Sequence, residues 1–157
     1  MHFQRVHGDH APERVFRSVV NASATVAIAR GDVCLWDVVA TLVDGTDTRG
    51  ARVLRNVGTL ASIRVAGVAE NAGAITAAGQ FRQDGFIMQV SGIHHEVNAE
   101  GTVTQDAMAI ASNTAGLIET VAVPGTVTND ELEGRMGWFM EARTGAGPVA
   151  VMLKNLL

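Results

Sequence analysis

From Arg64 to Gly116 the chain never runs long enough between turn signals to build a helix. The segment reads RVAGVAENAGAITAAGQFRQDGFIMQVSGIHHEVNAEGTVTQDAMAIASNTAG. Apolar runs of strand length alternate with Gly, Asn and Asp, whereas a helix needs about ten to twelve periodic residues. A βαβ arrangement requires helical segments between its strands, and none is legible. The pattern therefore predicts a compact, turn-rich β-domain. Few side chains in it are suited to chemistry, so the segment reads as one that holds a shape and presents surfaces.

The 157 residues suit one domain. A chain of this size buries roughly 70% of its unfolded surface on folding. Its core must come mainly from Ala, Val and other small or β-branched residues, because there is no Tyr and aromatics make up only 4%. The net charge is −4 and the arginines are scattered, so no basic face is available to displace counterions from nucleic acid. Cys34 is the only cysteine, which excludes an internal disulfide and fits folding in a reducing cytoplasm. It lies in the apolar run DVCLWDVVATLV and reads as a small buried hydrophobe. No apolar run approaches the roughly 18 residues of a membrane span, and the start, MHFQRVHGDHAPER, lacks the apolar stretch of a signal peptide.

Residues 1–14 are expected to form an extended N-terminal arm and residues 15–157 a single β-rich domain. Strands are expected within Val15–Ile28, Ser62–Val68, Phe81–Val90, Gly92–Val97, Gly101–Val103, Ala107–Ala111, Leu117–Val123, Arg135–Arg143 and Val149–Leu153. Asp32–Val43 fits a strand pair or a short buried helix. Asp44–Gly50 reads as a loop, and Asp84-Gly85 as a hairpin turn. Thr128–Glu131 could cap one helical turn through Leu132. Short strands with frequent turns indicate an all-β fold, a small barrel or sandwich of short antiparallel strands. Gly67, Gly73, Gly79 and Gly85 recur at intervals of six, the spacing of a parallel β-helix. That fold stacks one aliphatic residue per repeat, but the residues two before each glycine are Val65, Asn71, Ala77 and Gln83. The solenoid is therefore set aside.

Candidate chemistry is sparse. In a strand His94 and His95 point to opposite faces, leaving at most His94 and Glu96 together, fewer ligands than a zinc site uses. His94-His95-Glu96 is thus expected at a solvated turn or strand edge. His2, His7, His10 and Asp9 lie on the arm, where mobile ligands make a poor preorganised site. Ser62, Ser91 and Ser112 stand in no nucleophile-elbow pattern. No phosphate-binding glycine motif is present, and Gly145-Ala-Gly-Pro148 reads as a turn. No catalytic, cofactor-binding or metal-binding residue is expected. Trp138-Phe139 is the notable aromatic pair, because adjacent strand residues face opposite ways and one must leave the core. With Phe3 and Val6 of the arm, Trp138 and Phe139 are the candidate interface residues.

The segment AGVAENAGAITAAGQFRQDGFIMQVSG, followed by AEGTVTQDAMAIASNTAG, resembles the capsid decoration (cement) proteins of tailed bacteriophages. The similarity covers roughly residues 60–120. It rests on an A-G-V-A step, small-residue strands and a hairpin Gly101-Thr-Val103-Thr-Gln-Asp106-Ala-Met108, where Gln105 replaces the glycine of the family pattern. The resemblance implies a β-tulip-like fold and a homotrimer bound to the major capsid protein on the capsid exterior. It also implies a structural rather than enzymatic role, with no cofactor, nucleic acid or membrane. A phage tail-tube, tail-tip or fibre-associated β-barrel is one alternative. Another is a small-ligand or carrier module, although a carrier would need a lysine at a hairpin tip and the only one, Lys154, is close to the C-terminus.

Overall fold

The computed structural model describes residues 14–23, 25–37, 52–56, 65–72, 85–121 and 135–154. These residues are all-β, with no helix among them. The strands are β1 (Val15–Asn21), β2 (Val33–Trp36), β3 (Arg52–Arg55), β4 (Val65–Ala69), β5 (Phe86–Ala99), β6 (Met108–Ala111), β7 (Ile118–Thr120), β8 (Arg135–Phe139) and β9 (Gly147–Leu153).

The pairings follow the order β1-β3-β2-β4-β5-β7-β6-β8-β9, with further pairings of β5 to β1 and to β9. The hydrogen-bonded neighbours therefore close two circuits that share β5. One circuit comprises β1, β3, β2, β4 and the first half of β5. The other comprises β7, β6, β8, β9 and the second half of β5. The hand-over is sharp: Ser91 still pairs with Val15 of β1, and Gly92 already pairs with Leu153 of β9. Gly92 has a φ of 85°. Only glycine adopts that conformation cheaply, so this residue lets one strand turn from the first circuit into the second.

Each circuit has its own core. Val19, Ile28, Cys34, Val53, Ala66, Ala69, Phe86, Met88 and Val90 fill the first. Val97, Ile118, Met136, Phe139, Val149, Val151 and Leu153 belong to the second. The short strands β2 and β4 lie between them. On β2, Cys34 faces the first core while Val33 and Leu35 face the second. On β4, Ala66 and Ala69 face the first, Val65 and Val68 the second. A strand buried on both faces must be apolar at every position, which is why VCLW and VAGVA show no polar alternation. Small residues at Cys34, Ala66 and Ala69 leave volume for Phe86 and Met88 opposite. Burying either of those large side chains is worth about 1.5–3 kcal/mol.

A polar clamp joins the strands at one end. Asp32 accepts the Ala29 N–H at 2.9 Å and pairs with Arg55 Nε of β3 at 2.8 Å. The Gly31 N–H donates to the Ala69 carbonyl of β4 at 2.8 Å, and its own carbonyl accepts the Asn98 N–H of β5 at 3.1 Å. The clamp thus ties the chain before β2 to three other strands and gives the buried Asp32 carboxylate a hydrogen bond and an ion pair.

The all-β expectation matches the structure, with three refinements. The sheet is mixed, because β1 pairs with β3 and β5 with β7 in parallel. Phe86–Val90 and Gly92–Val97, expected as separate strands, are one strand of 14 residues. Local turn residues cannot reveal this, since Gly92 bends the strand without ending it. Val103, expected within a strand, makes an isolated bridge to Arg143. The first residues of the arm, the 44–50 loop, Asp84 and the 128–132 turn lie outside the described residues.

Gly137 tests the β8–β9 packing. A Cβ there would run into the Met152 backbone carbonyl, whereas a Cβ at Gly101 would meet nothing within 4 Å. Gly137→Ala should therefore destabilise the fold by more than the typical substitution cost of about 1 kcal/mol, and Gly101→Ala by no more than about 0.5 kcal/mol. Urea denaturation of both variants checks this.

Candidate interaction surface

β8 reads Arg-Met-Gly-Trp-Phe, and its pleat separates the two aromatic rings. Phe139 is fully buried in the second core, while Trp138 is 41% exposed on the outer face. The expectation that one ring leaves the core is met by Trp138. Phe139 has no surface to offer a partner, which corrects its place among the candidate interface residues. Phe3 and Val6 lie outside the described residues.

Trp138 does not stand alone. In register, it is opposite Met108 of β6 on one side and Met152 of β9 on the other. Met152 is in turn opposite Ile93 of β5. Directly opposed positions place Cβ atoms about 4.5–5.5 Å apart. Met108, Trp138, Met152 and Ile93 thus form an apolar row crossing four adjacent strands, with exposed Met140 beyond the end of β8. Exposed aromatic and Met side chains are enriched where proteins bind one another, and Met adapts readily to a partner's contour. The sequence signal was present in the alternation of VAVML and RMGWFM, but joining the rows required the strand order.

A second apolar spot lies on the other circuit. Phe16 and Ile87 are 45% and 47% exposed. Phe16 is opposite Gln89 and Ile87 opposite Ser18, so the two share a face on neighbouring strands. The Arg14 guanidinium lies 4.9 Å from the Phe16 ring centre and covers part of it.

Arg14 also begins a polar cluster. Its Nη2 is 3.0 Å from Glu70 Oε1 and 2.8 Å from Gln89 Oε1. Glu70 Oε2 is 2.9 Å from Nε2 of His94, whose side chain is 1% exposed. The structure therefore divides the expected solvated trio: His94 is buried, while His95 and Glu96 are exposed. His94 and His95 do face opposite ways, as alternation requires, and the bulge between His94 and Val97 leaves Glu96 exposed beside His95.

The other polar groups are engaged locally. Glu100 accepts hydrogen bonds from the Ser112 and Thr114 hydroxyls, which hold its carboxyl below the ordinary range. Ser112, one of the serines considered as a nucleophile, is thus a donor to a carboxylate. Burial, reinforced by the charge of Asp32, pushes the Cys34 thiol far above the ordinary range and keeps it protonated. Among the described residues, no group of three or more His, Cys, Asp or Glu could hold a metal ion.

The described residues therefore define an all-β domain with an apolar row on its outer face. No protein-family model matches the chain, and no curated protein matches it.

Phe139→Ala should cost about 3–5 kcal/mol, the usual range for emptying a core site of that size. Trp138→Ala should cost less than about 1 kcal/mol, as expected of a partly exposed side chain. Equal losses in urea denaturation would place the Trp138 ring in the core and remove it from the surface row.

Proposed function

We propose that this chain is a structural virion protein that binds the outside of a phage capsid and strengthens the shell by bridging its subunits. In this reading it is made in the host cytoplasm and assembles as a homotrimer on the major capsid protein. It performs no catalysis, needs no cofactor, and contacts neither nucleic acid nor membrane.

The observation that carries the proposal is the row Ile93–Met152–Trp138–Met108. It is apolar, lies on the outer face, and is held by strands whose opposite faces are buried. The strand registers fix its shape, so little ordering entropy is spent when it meets a partner. The similarity of residues 60–120 to decoration proteins supplies the choice of partner. Repetition supplies the strength, because identical modest contacts around a closed shell add up, and linking copies in a trimer raises the effective concentration of each.

The test is co-sedimentation of the purified chain with expanded phage capsids that lack their decoration protein, followed by a heat-stability assay of the particles. The wild-type chain should sediment with the shells and raise their disruption temperature. Trp138→Ser should remain folded but lose at least tenfold in binding, a change of about 1.4 kcal/mol. Absence of wild-type binding, or a particle no more heat-resistant with the chain than without it, would sink the proposal.

A further inference from the structure

His94 stands two residues beyond Gly92, just after β5 passes from one circuit to the other. Its Nδ1 lies 3.2 Å from the backbone nitrogen of Glu96 and accepts that N–H. An accepting Nδ1 carries no proton, so the ring is the neutral tautomer with its hydrogen on Nε2. The contact lies within the β-bulge, where His94 is opposite Val151 and Val97 is opposite Val149, leaving one extra residue on β5. The ring therefore satisfies a backbone donor at one of the two irregular points of β5.

Three charged groups bear on this imidazole. Glu70, just after β4, places Oε2 2.9 Å from Nε2, at ion-pair distance but out of line for a hydrogen bond. Arg14, preceding β1, holds the other Glu70 oxygen at 3.0 Å. Arg30, in the turn before β2, pairs with the Glu96 carboxylate at 2.9 Å. Directly opposite on β9 is the uncharged Val151.

We propose that His94 is a proton-operated latch: the neutral ring fastens the β5 bulge, and protonation in acid releases it and rearranges the Glu70–Arg14 pair that ties Arg14 to the sheet. The geometry dictates the first step. A proton on Nδ1 would set one N–H against another, so the bond to Glu96 must break. The freed Glu96 N–H then has to find water or another acceptor. The new cation draws Glu70 toward itself, in competition with Arg14. This latch is independent of what the outer apolar row binds.

Burial lowers the proton affinity of His94 below the ordinary histidine range; Glu70 and the Ala69 backbone oppose this, and Arg14 and Arg30 add to it. The sign follows directly. In the window between the lowered folded value and the unfolded value of about 6.5, the unfolded chain binds the extra proton, so stability rises with pH. The contribution is complete above about pH 6.5 and is lost as the pH falls through that window.

Two measurements on the full chain test the latch. In an NMR titration the His94 ring should titrate below about 6.5, and the Glu96 amide resonance should move in step with it. A ring that titrates at or above that value, or a Glu96 amide that stays still, would overturn the proposal. In urea denaturation the wild-type midpoint should fall between about pH 7.5 and about pH 5.5. His94→Gln should remove most of that fall, and His95→Gln should retain it. A His94→Gln slope equal to wild type would also overturn the latch. Should His94→Gln not fold, the wild-type titration decides alone.

Discussion

One strand serving two circuits is the constraint on which the rest of this structure depends. β5 gives its first six residues to β1 and β4, then passes to β9 and β7 from Gly92 onward. Everything nearby accommodates this hand-over. β2 and β4 lie between two cores and must be apolar on both faces. The turn at Ala29–Asp32 fills the space beside β5, with its polar groups satisfied by Arg55, Asn98 and Ala69. The buried His94 takes a backbone hydrogen where the register slips. Hydrophobic burial supplies the driving force, but these few polar contacts select one arrangement, because a buried donor left unmet would cost about 1–3 kcal/mol.

The same construction explains how a small domain with few aromatics can present a defined surface. The inner faces of β6, β8 and β9 are held by Ala109, Met136, Phe139, Val149, Val151 and Leu153. Their outer faces are then set by the pleat and, on β8, by the irregularity between Arg135 and Gly137 that lets Met136 and Phe139 both face inward. Trp138 is displayed because Phe139 is buried, and Met152 is displayed because Val151 and Leu153 are buried. The outer row is a consequence of how the second core packs.

Much of the fold was legible in the sequence because turn chemistry and short apolar runs are local signals. The buried, inert Cys34 was likewise visible from its apolar neighbours. What stayed hidden depends on partners distant in the chain. Gly92 reads as a strand end, but tertiary pairing on both sides of it makes β5 continuous. The parallel pairings of β1 with β3 and of β5 with β7 have no local signature. Alternation could place only one ring of Trp138-Phe139 outside, without saying which. His94 was read as solvated from the shortage of metal ligands beside it, and ligand count says nothing about which face of the strand is buried; His94 shares the buried face with Val90 and Gly92. Two members of the surface row, Met108 and Ile93, come from strands far from Trp138 in sequence.

Role and structure meet in the claim that the outer row is the face that meets a shell. Its residues make the claim directly measurable, since Trp and Met side chains are readily oxidised. Hydroxyl-radical footprinting should compare the free chain with the chain bound to expanded capsids. Oxidation of Trp138, Met140 and Met152 should fall sharply on binding, while Phe16 on the other circuit is modified as before. Unchanged oxidation of Trp138 and Met152 in the bound chain, or protection confined to the Phe16 side, would contradict that claim.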